Sequence, residues 1–154
     1  MSWVREENLH LTMRFLGEVE DRQVEDLVAR FTEPLAMRAF DIEFGGVGIF
    51  PPAGPPRVVW LGVICGADWL FALNAEVEGR FVAWGYGRDN RPFRAHLTLG
   101  RCRDPLGPQA RDLLLRTDAR AVGTSRVDCV VLYQSQLSSS GPTYVPLARA
   151  LLST

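Results

Sequence analysis

One short phrase, His-Leu-Thr followed by an apolar residue, occurs twice in this chain, at 10–13 and at 96–99. Its two histidines are the only histidines among 154 residues. The phrase alternates polar and apolar side chains, which suits a strand, where residues i and i+2 share a face. His10 and Thr12 then stand on one side, with Leu11 and Met13 on the other. His96 and Thr98 do the same opposite Leu97 and Leu99. Any fold for this chain must supply two half-buried strands. Each shows an imidazole beside a hydroxyl and buries two apolar side chains.

The remaining segments fill in around these strands. Alternation predicts a strand over 8–16. Val24, Leu27, Val28 and Phe31 then fall at i, i+3, i+4 and i+7, which predicts a helix over about 21–36 with Asp21 as its cap. A short strand is expected at 40–44, a glycine- and proline-rich loop at 45–56, and a buried strand at 57–64. The loop has the glycines of a phosphate loop but lacks the strand-glycine-lysine-helix order, so it is not read as nucleotide-binding. Leu70, Leu73, Val77 and Phe81 mark a helix over 67–83. A connector at 83–93, a strand at 95–101 and a proline-started helix at 107–116 follow. A long strand at 125–137, a hairpin turn at 138–142 and a last strand at 143–151 close the chain. Pro146 marks that last strand as an edge strand. The order predicts an α+β fold rather than a doubly wound parallel one. Two halves that each open on the histidine phrase suggest an internal duplication within one domain spanning 1–154.

Composition narrows the function. Apolar residues make up 47% and charged residues 23% of the chain, ordinary for a globular protein with an ample core. No apolar run is long enough to span a membrane, and residues 1–8 carry no signal pattern, so a cytoplasmic protein is expected. The formal net charge of −1 argues against coating long nucleic acid through a basic face. All 17 basic residues are arginine, so a cationic contact to phosphate must use a guanidinium. Cys65, Cys102 and Cys129 are odd in number and unpaired by motif, and are expected as buried free thiols.

Two imidazoles and two hydroxyls around one centre suit an anionic substrate. Histidine titrates near pH ~6.5, so one ring can be neutral while the other is charged, the state needed for one general base and one general acid. The Thr12 and Thr98 hydroxyls can donate to phosphate oxygens. Metal ligation needs three or four donors, and no cysteine or acidic residue sits at a suitable spacing near either phrase. No metal and no other cofactor is therefore expected.

The segments "ENLHLTMRFLGEV" and "FRAHLTLGR" resemble the paired H-x-T-x motifs of the two-histidine phosphoesterases. The likeness is greatest to the LigT-like branch, the 2′-5′ RNA ligases or RNA 2′,3′-cyclic phosphodiesterases. "GIFPPAGPPRVVWLGV" and "VVLYQSQLSSSGPTYVPLARALL" extend it over nearly the whole chain. The resemblance implies a bilobal α+β fold with two antiparallel sheets lining a cleft and helices outside. It implies hydrolysis of 2′,3′-cyclic phosphate ends of RNA or nucleotides to 2′-phosphomonoesters. In that chemistry His96 is the proton acceptor, His10 the proton donor, and Thr12 and Thr98 steady the phosphorane oxygens. Phe15 and Arg101 match family positions that hold the base and the phosphate region. Strict alternation puts both on the face away from the histidines, so they reach the site only if each strand bends or ends near Gly17 and Gly100. Arg14 has the parity to reach a phosphate, with a solvated arginine as the alternative. Ligation of RNA ends at the same site and a non-catalytic nucleotide-binding module are the alternatives. Family members usually carry a strand and a helix ahead of the "WVREENLH" segment, which here stands at the start. Two alternatives are expected: two copies pair along the sheet edge this would leave open, that is, a homodimer, or the natural gene product begins upstream of Met1.

Overall fold

A computed structural model describes residues 1–104, 106–138 and 141–154. In chain order its strands are β1 (Ser2–Trp3), β2 (Leu35–Arg38), β3 (Phe40–Phe50), β4 (Val58–Cys65), β5 (His96–Arg101), β6 (Gly123–Val127), β7 (Cys129–Ser138) and β8 (Gly141–Ser153). The helices are α1 (Asp21–Phe31), α2 (Ala67–Ala83) and α3 (Pro108–Leu115), with a single 3-10 turn at Glu6–Asn8. The expected α+β class holds, built on two sheets.

The chain divides into two compact units. The first comprises 1–12, 41–71 and 93–125. It contains most of a five-stranded sheet in the order β1-β5-β4-β3-β6. The pairs β1/β5, β5/β4 and β4/β3 are antiparallel. Ile49, Val59 and Leu61 lie on one face of this sheet and are buried. The second unit comprises 13–40, 72–92 and 126–154. Its sheet has the order β2-β8-β7, with β2 parallel and β7 antiparallel to β8. Leu27 and Phe31 of α1 are buried in this unit, as are Val77 and Phe81 of α2. Phe81 is the hub: Phe31, Trp84 and Tyr86 pack against it with ring centroids 6.1, 5.3 and 5.6 Å away.

Helix α2 spans the residues its periodicity predicts, and Leu70, Leu73, Val77 and Phe81 are all buried. Other boundaries differ, each for a physical reason. Helix α1 stops at Phe31, short of 36, because Pro34 disfavours helical backbone at the residue before it. Glu20, not Asp21, holds its N-cap position, and no side chain caps it. Strand β3 runs on through the glycines expected as loop. Gly46, at φ +74°, forms a bulge between Gly45 and Val47 and the ladder resumes. The single strand expected over 125–137 is two strands that change sheets at Asp128, a switch that unbroken alternation hides. Strand β8 is central, not an edge, yet β2 pairs only with its Leu152–Ser153 end, so Pro146 meets no β2 partner. The turn expected at 138–142 falls in part on 139 and 140, outside the described residues.

The strand expected over 8–16 is the largest departure. After the 3-10 turn at Glu6–Asn8 only Leu11 makes a ladder contact, an isolated antiparallel bridge to Leu97. The chain passes from the first unit to the second between Thr12 and Met13. Both histidines therefore belong to the first unit, and the two phrases do not open two equivalent lobes. Among the cysteines, Cys102 is buried, Cys129 is half-buried and Cys65 is exposed. All three are free. Cys65 is the last residue of β4, beyond the covered middle of the strand. Burial pushes the Cys129 thiol up from its ordinary range, with a hydrogen bond to Asp128 adding to it.

Candidate active site

The bridge between Leu11 and Leu97 sets the geometry. In an antiparallel pair, one step from a bridged residue on one strand lies opposite one step the other way on its partner. His10 is thus level with Thr98, and Thr12 with His96. All four share the sheet face opposite Leu11 and Leu97. The two histidines stand diagonally across this bridge.

Both rings are anchored in the same way. His10 Nδ1 lies 2.7 Å from the Asn8 carbonyl and His96 Nδ1 lies 2.8 Å from the Arg94 carbonyl. A carbonyl only accepts, so each Nδ1 carries the proton and donates. In the neutral ring Nε2 then holds the lone pair, and in the charged ring it holds the second proton. Both histidines are thereby prepared to exchange protons through Nε2. Repetition of the phrase signals the imidazoles. The carbonyl two residues earlier carries no side-chain signal, so sequence reading misses it.

Arg101 joins this face through a bulge. Along β4, Gly62, Trp60 and Val58 are paired with His96, Thr98 and Arg101. These three β4 residues are two apart and point one way. On β5, however, three residues separate Thr98 from Arg101, because the register shifts between Val59 and Trp60. The extra residue, Leu99, inverts the alternation, so Arg101 returns to the side of His96 and Thr98. Alternation alone put Arg101 on the wrong face. The bulge is the reason it is not there.

Phe15 and Arg14 lie beyond the bridge, in the second unit, so strand parity does not govern them. Phe15 is 62% exposed, which suits an aromatic contact and excludes a core role. The Arg91 guanidinium lies over its ring, 5.7 Å from the centroid. Asp89 holds that guanidinium through two charge-assisted bonds of 3.0 and 2.9 Å, and Arg91 in turn draws the Asp89 carboxyl down to a pKa of about 2. Arg14, expected at the phosphate, is placed otherwise. Its guanidinium is buried, donates to Glu78 and to the Gly87 carbonyl, and lies 5.2 Å from the Phe81 centroid. A buried cation must be paired where it sits, so Arg14 serves the core of its own unit rather than a substrate.

Aromatic residues that the sequence pattern does not single out flank His96. Phe50 and Trp60 have ring centroids 5.2 and 5.9 Å from its imidazole, at interplanar angles of 89° and 66°. Arg94 lies 5.8 Å from the Phe50 centroid, and Gly48 is paired with Trp60 across the ladder. Among the described residues no three His, Cys, Asp or Glu side chains converge as metal donors. None of the helices there is long and apolar enough to cross a membrane.

The pattern of the LigT like phosphoesterase family matches residues 1–60 and 64–144. The RNA 2′,3′-cyclic phosphodiesterase of Archaeoglobus fulgidus is 37% identical over 144 residues, covering 94% of this chain and 80% of that protein. The protein of the same name from Aeropyrum pernix is 36% identical over 148 residues, covering 96% and 84%. The crystal structure of E. coli LigT in apo form superposes with a TM-score of 0.76 at 27% identity, over 99% of this chain and 81% of that one. E. coli LigT complexed with 3′-AMP superposes with a TM-score of 0.74 at 27% identity, over 99% and 81%. With two motifs on one sheet face, a family pattern matched almost end to end and relatives above one-third identity, this chain belongs to the LigT-like phosphoesterase family.

Proposed function

We propose that this chain is an RNA 2′,3′-cyclic phosphodiesterase that opens the cyclic phosphate at RNA or nucleotide ends and leaves a 2′-phosphomonoester. The observation that carries this reading is the bridge that sets one His-x-Thr phrase against the other, with both Nδ1 atoms held by backbone carbonyls. His96 Nε2 takes a proton from water as the water oxygen bonds to phosphorus. The bond from phosphorus to the 3′-oxygen breaks, and His10, charged at the outset, gives that oxygen its Nε2 proton. Thr12 and Thr98 donate to the oxygens on which charge accumulates, and Arg101 adds positive charge on the same face. Which ring is acid and which base follows the family resemblance. Phe15 is assigned to the base of the substrate.

Two imidazoles account for both proton transfers, so the reaction is proposed to need no metal. Incubation with 2′,3′-cyclic-phosphate RNA in EDTA should give a 2′-phosphate end at an undiminished rate. A 3′-phosphate product, or activity that vanishes in EDTA and returns with zinc or manganese, would overturn the scheme. We also place the enzyme in the cytoplasm and propose that two copies pair along β1, the outermost strand of its sheet, which sedimentation velocity would read as a dimer. Neither enters the chemistry.

A further inference from the structure

The geometry points to Trp60 as a positioning residue for His96, seated by Gly48 and backed by Phe50. This rests on the reading of His96 as the general base. A histidine ring turns about a broad, roughly two-fold torsion, so one bond at Nδ1 does not fix its plane. The Arg94 carbonyl holds one edge of the His96 ring. Trp60 and Phe50 supply further contacts, both inclined steeply to the imidazole and within the range of favourable aromatic pairs. Trp60 and Phe50 also pack on each other, with centroids 5.2 Å apart and planes at 31°. Arg94 serves twice, since its guanidinium lies over Phe50 while its carbonyl receives the His96 Nδ1 proton. The arrangement is closed: each member limits the motion of the next.

Gly48 explains how the indole reaches this place. A Cβ on Gly48 would stand 2.0 Å from Trp60 Cζ2 and 2.2 Å from both Cε2 and Cη2. The indole therefore lies where any other residue at 48 would put a side chain. Glycine weakens a strand interior, and its use there marks a close approach. The glycines of "GGVGIF" lie within β3. One of them makes a floor for the tryptophan that stands beside His96. Trp60 Nε1 is buried without a hydrogen-bond partner among the described residues, a cost that phenylalanine would avoid. Packing alone gives no reason to keep an indole here.

Three variants test this by reading the His96 ring itself. In the wild-type protein, ¹H–¹⁵N correlation of the imidazole nitrogens should show His96 as a single tautomer with the proton on Nδ1. Gly48→Ala should displace the indole and mix the His96 tautomers, leaving His10 as it was. In that variant kcat on a 2′,3′-cyclic nucleotide should fall about 10- to 10²-fold with KM nearly unchanged, the mark of a misplaced group rather than lost binding. The acid limb of its pH profile should move and the alkaline limb should stay. Adding Trp60→Phe to Gly48→Ala should restore most of kcat, because the smaller ring lacks Cζ2 and Cη2, two of the three atoms the new Cβ meets. Trp60→Leu decides the matter if Gly48→Ala does not fold, and should mix the His96 tautomers in the same way. A folded Gly48→Ala or Trp60→Leu with wild-type His96 nitrogens overturns the proposal. If the wild-type chain opens no cyclic phosphate, the functional reading falls, and the nitrogen spectra still decide what positions His96.

Discussion

His96→Ala and His10→Ala should each lower turnover of a 2′,3′-cyclic nucleotide by at least about 10²-fold, the usual contribution of one positioned acid or base. The two losses should not multiply. Once one imidazole is gone the proton relay is broken, and the double variant should lie close to the worse single one. Steady-state assays with both single variants and the double variant at matched pH check this. His10 is exposed and His96 is half-buried, so neither substitution removes core packing and the variants should fold. A single variant with turnover near wild type would remove that histidine from the reaction.

Arg14 should show the opposite pattern, a large loss of stability without a loss of substrate affinity. Its side chain is 6% exposed and that of Glu78 is 18% exposed. Arg14→Leu leaves the half-buried Glu78 with the Asp89 backbone N–H, 2.9 Å away, as a remaining donor. Removing one partner of a buried ion pair costs about 3–5 kcal/mol, since the other charge stays desolvated and unpaired. Removing both is less damaging, so Arg14→Leu/Glu78→Leu should be more stable than Arg14→Leu alone. Urea unfolding of the two variants measures the difference, and KM of the folded protein measures the rest. Were Arg14 a phosphate contact, Arg14→Leu would raise KM and leave the unfolding midpoint near wild type.

These residues show what a sequence discloses and what it withholds. Helix α2 was fully legible, because Leu70, Leu73, Val77 and Phe81 repeat at helical spacing and all four are buried. The pairing of an imidazole with a hydroxyl on β5 was legible from alternation, whereas the strand expected around His10 is only a bridge at Leu11. The sidedness of Arg101 was not. It depends on one extra residue in β5, and a one-residue slip inverts every side chain beyond it. Pairing ends at Leu11, so strand parity says nothing of Arg14. The β3 glycines read as loop because glycine punctuates turns far more often than it makes room for an indole on a neighbouring strand. In each case local pattern was right about the element and silent about the neighbour that decided the outcome.

The central claim is that two histidines on one sheet face share one reaction, one giving a proton while the other takes it. The dependence of kcat/KM on pH, measured on a 2′,3′-cyclic nucleotide in EDTA, tests it most directly. A base that must be neutral and an acid that must be charged predict a bell. The low-pH limb should be lost in His96→Ala and the high-pH limb in His10→Ala. A wild-type profile with a single limb, or two limbs that persist in both variants, would contradict it.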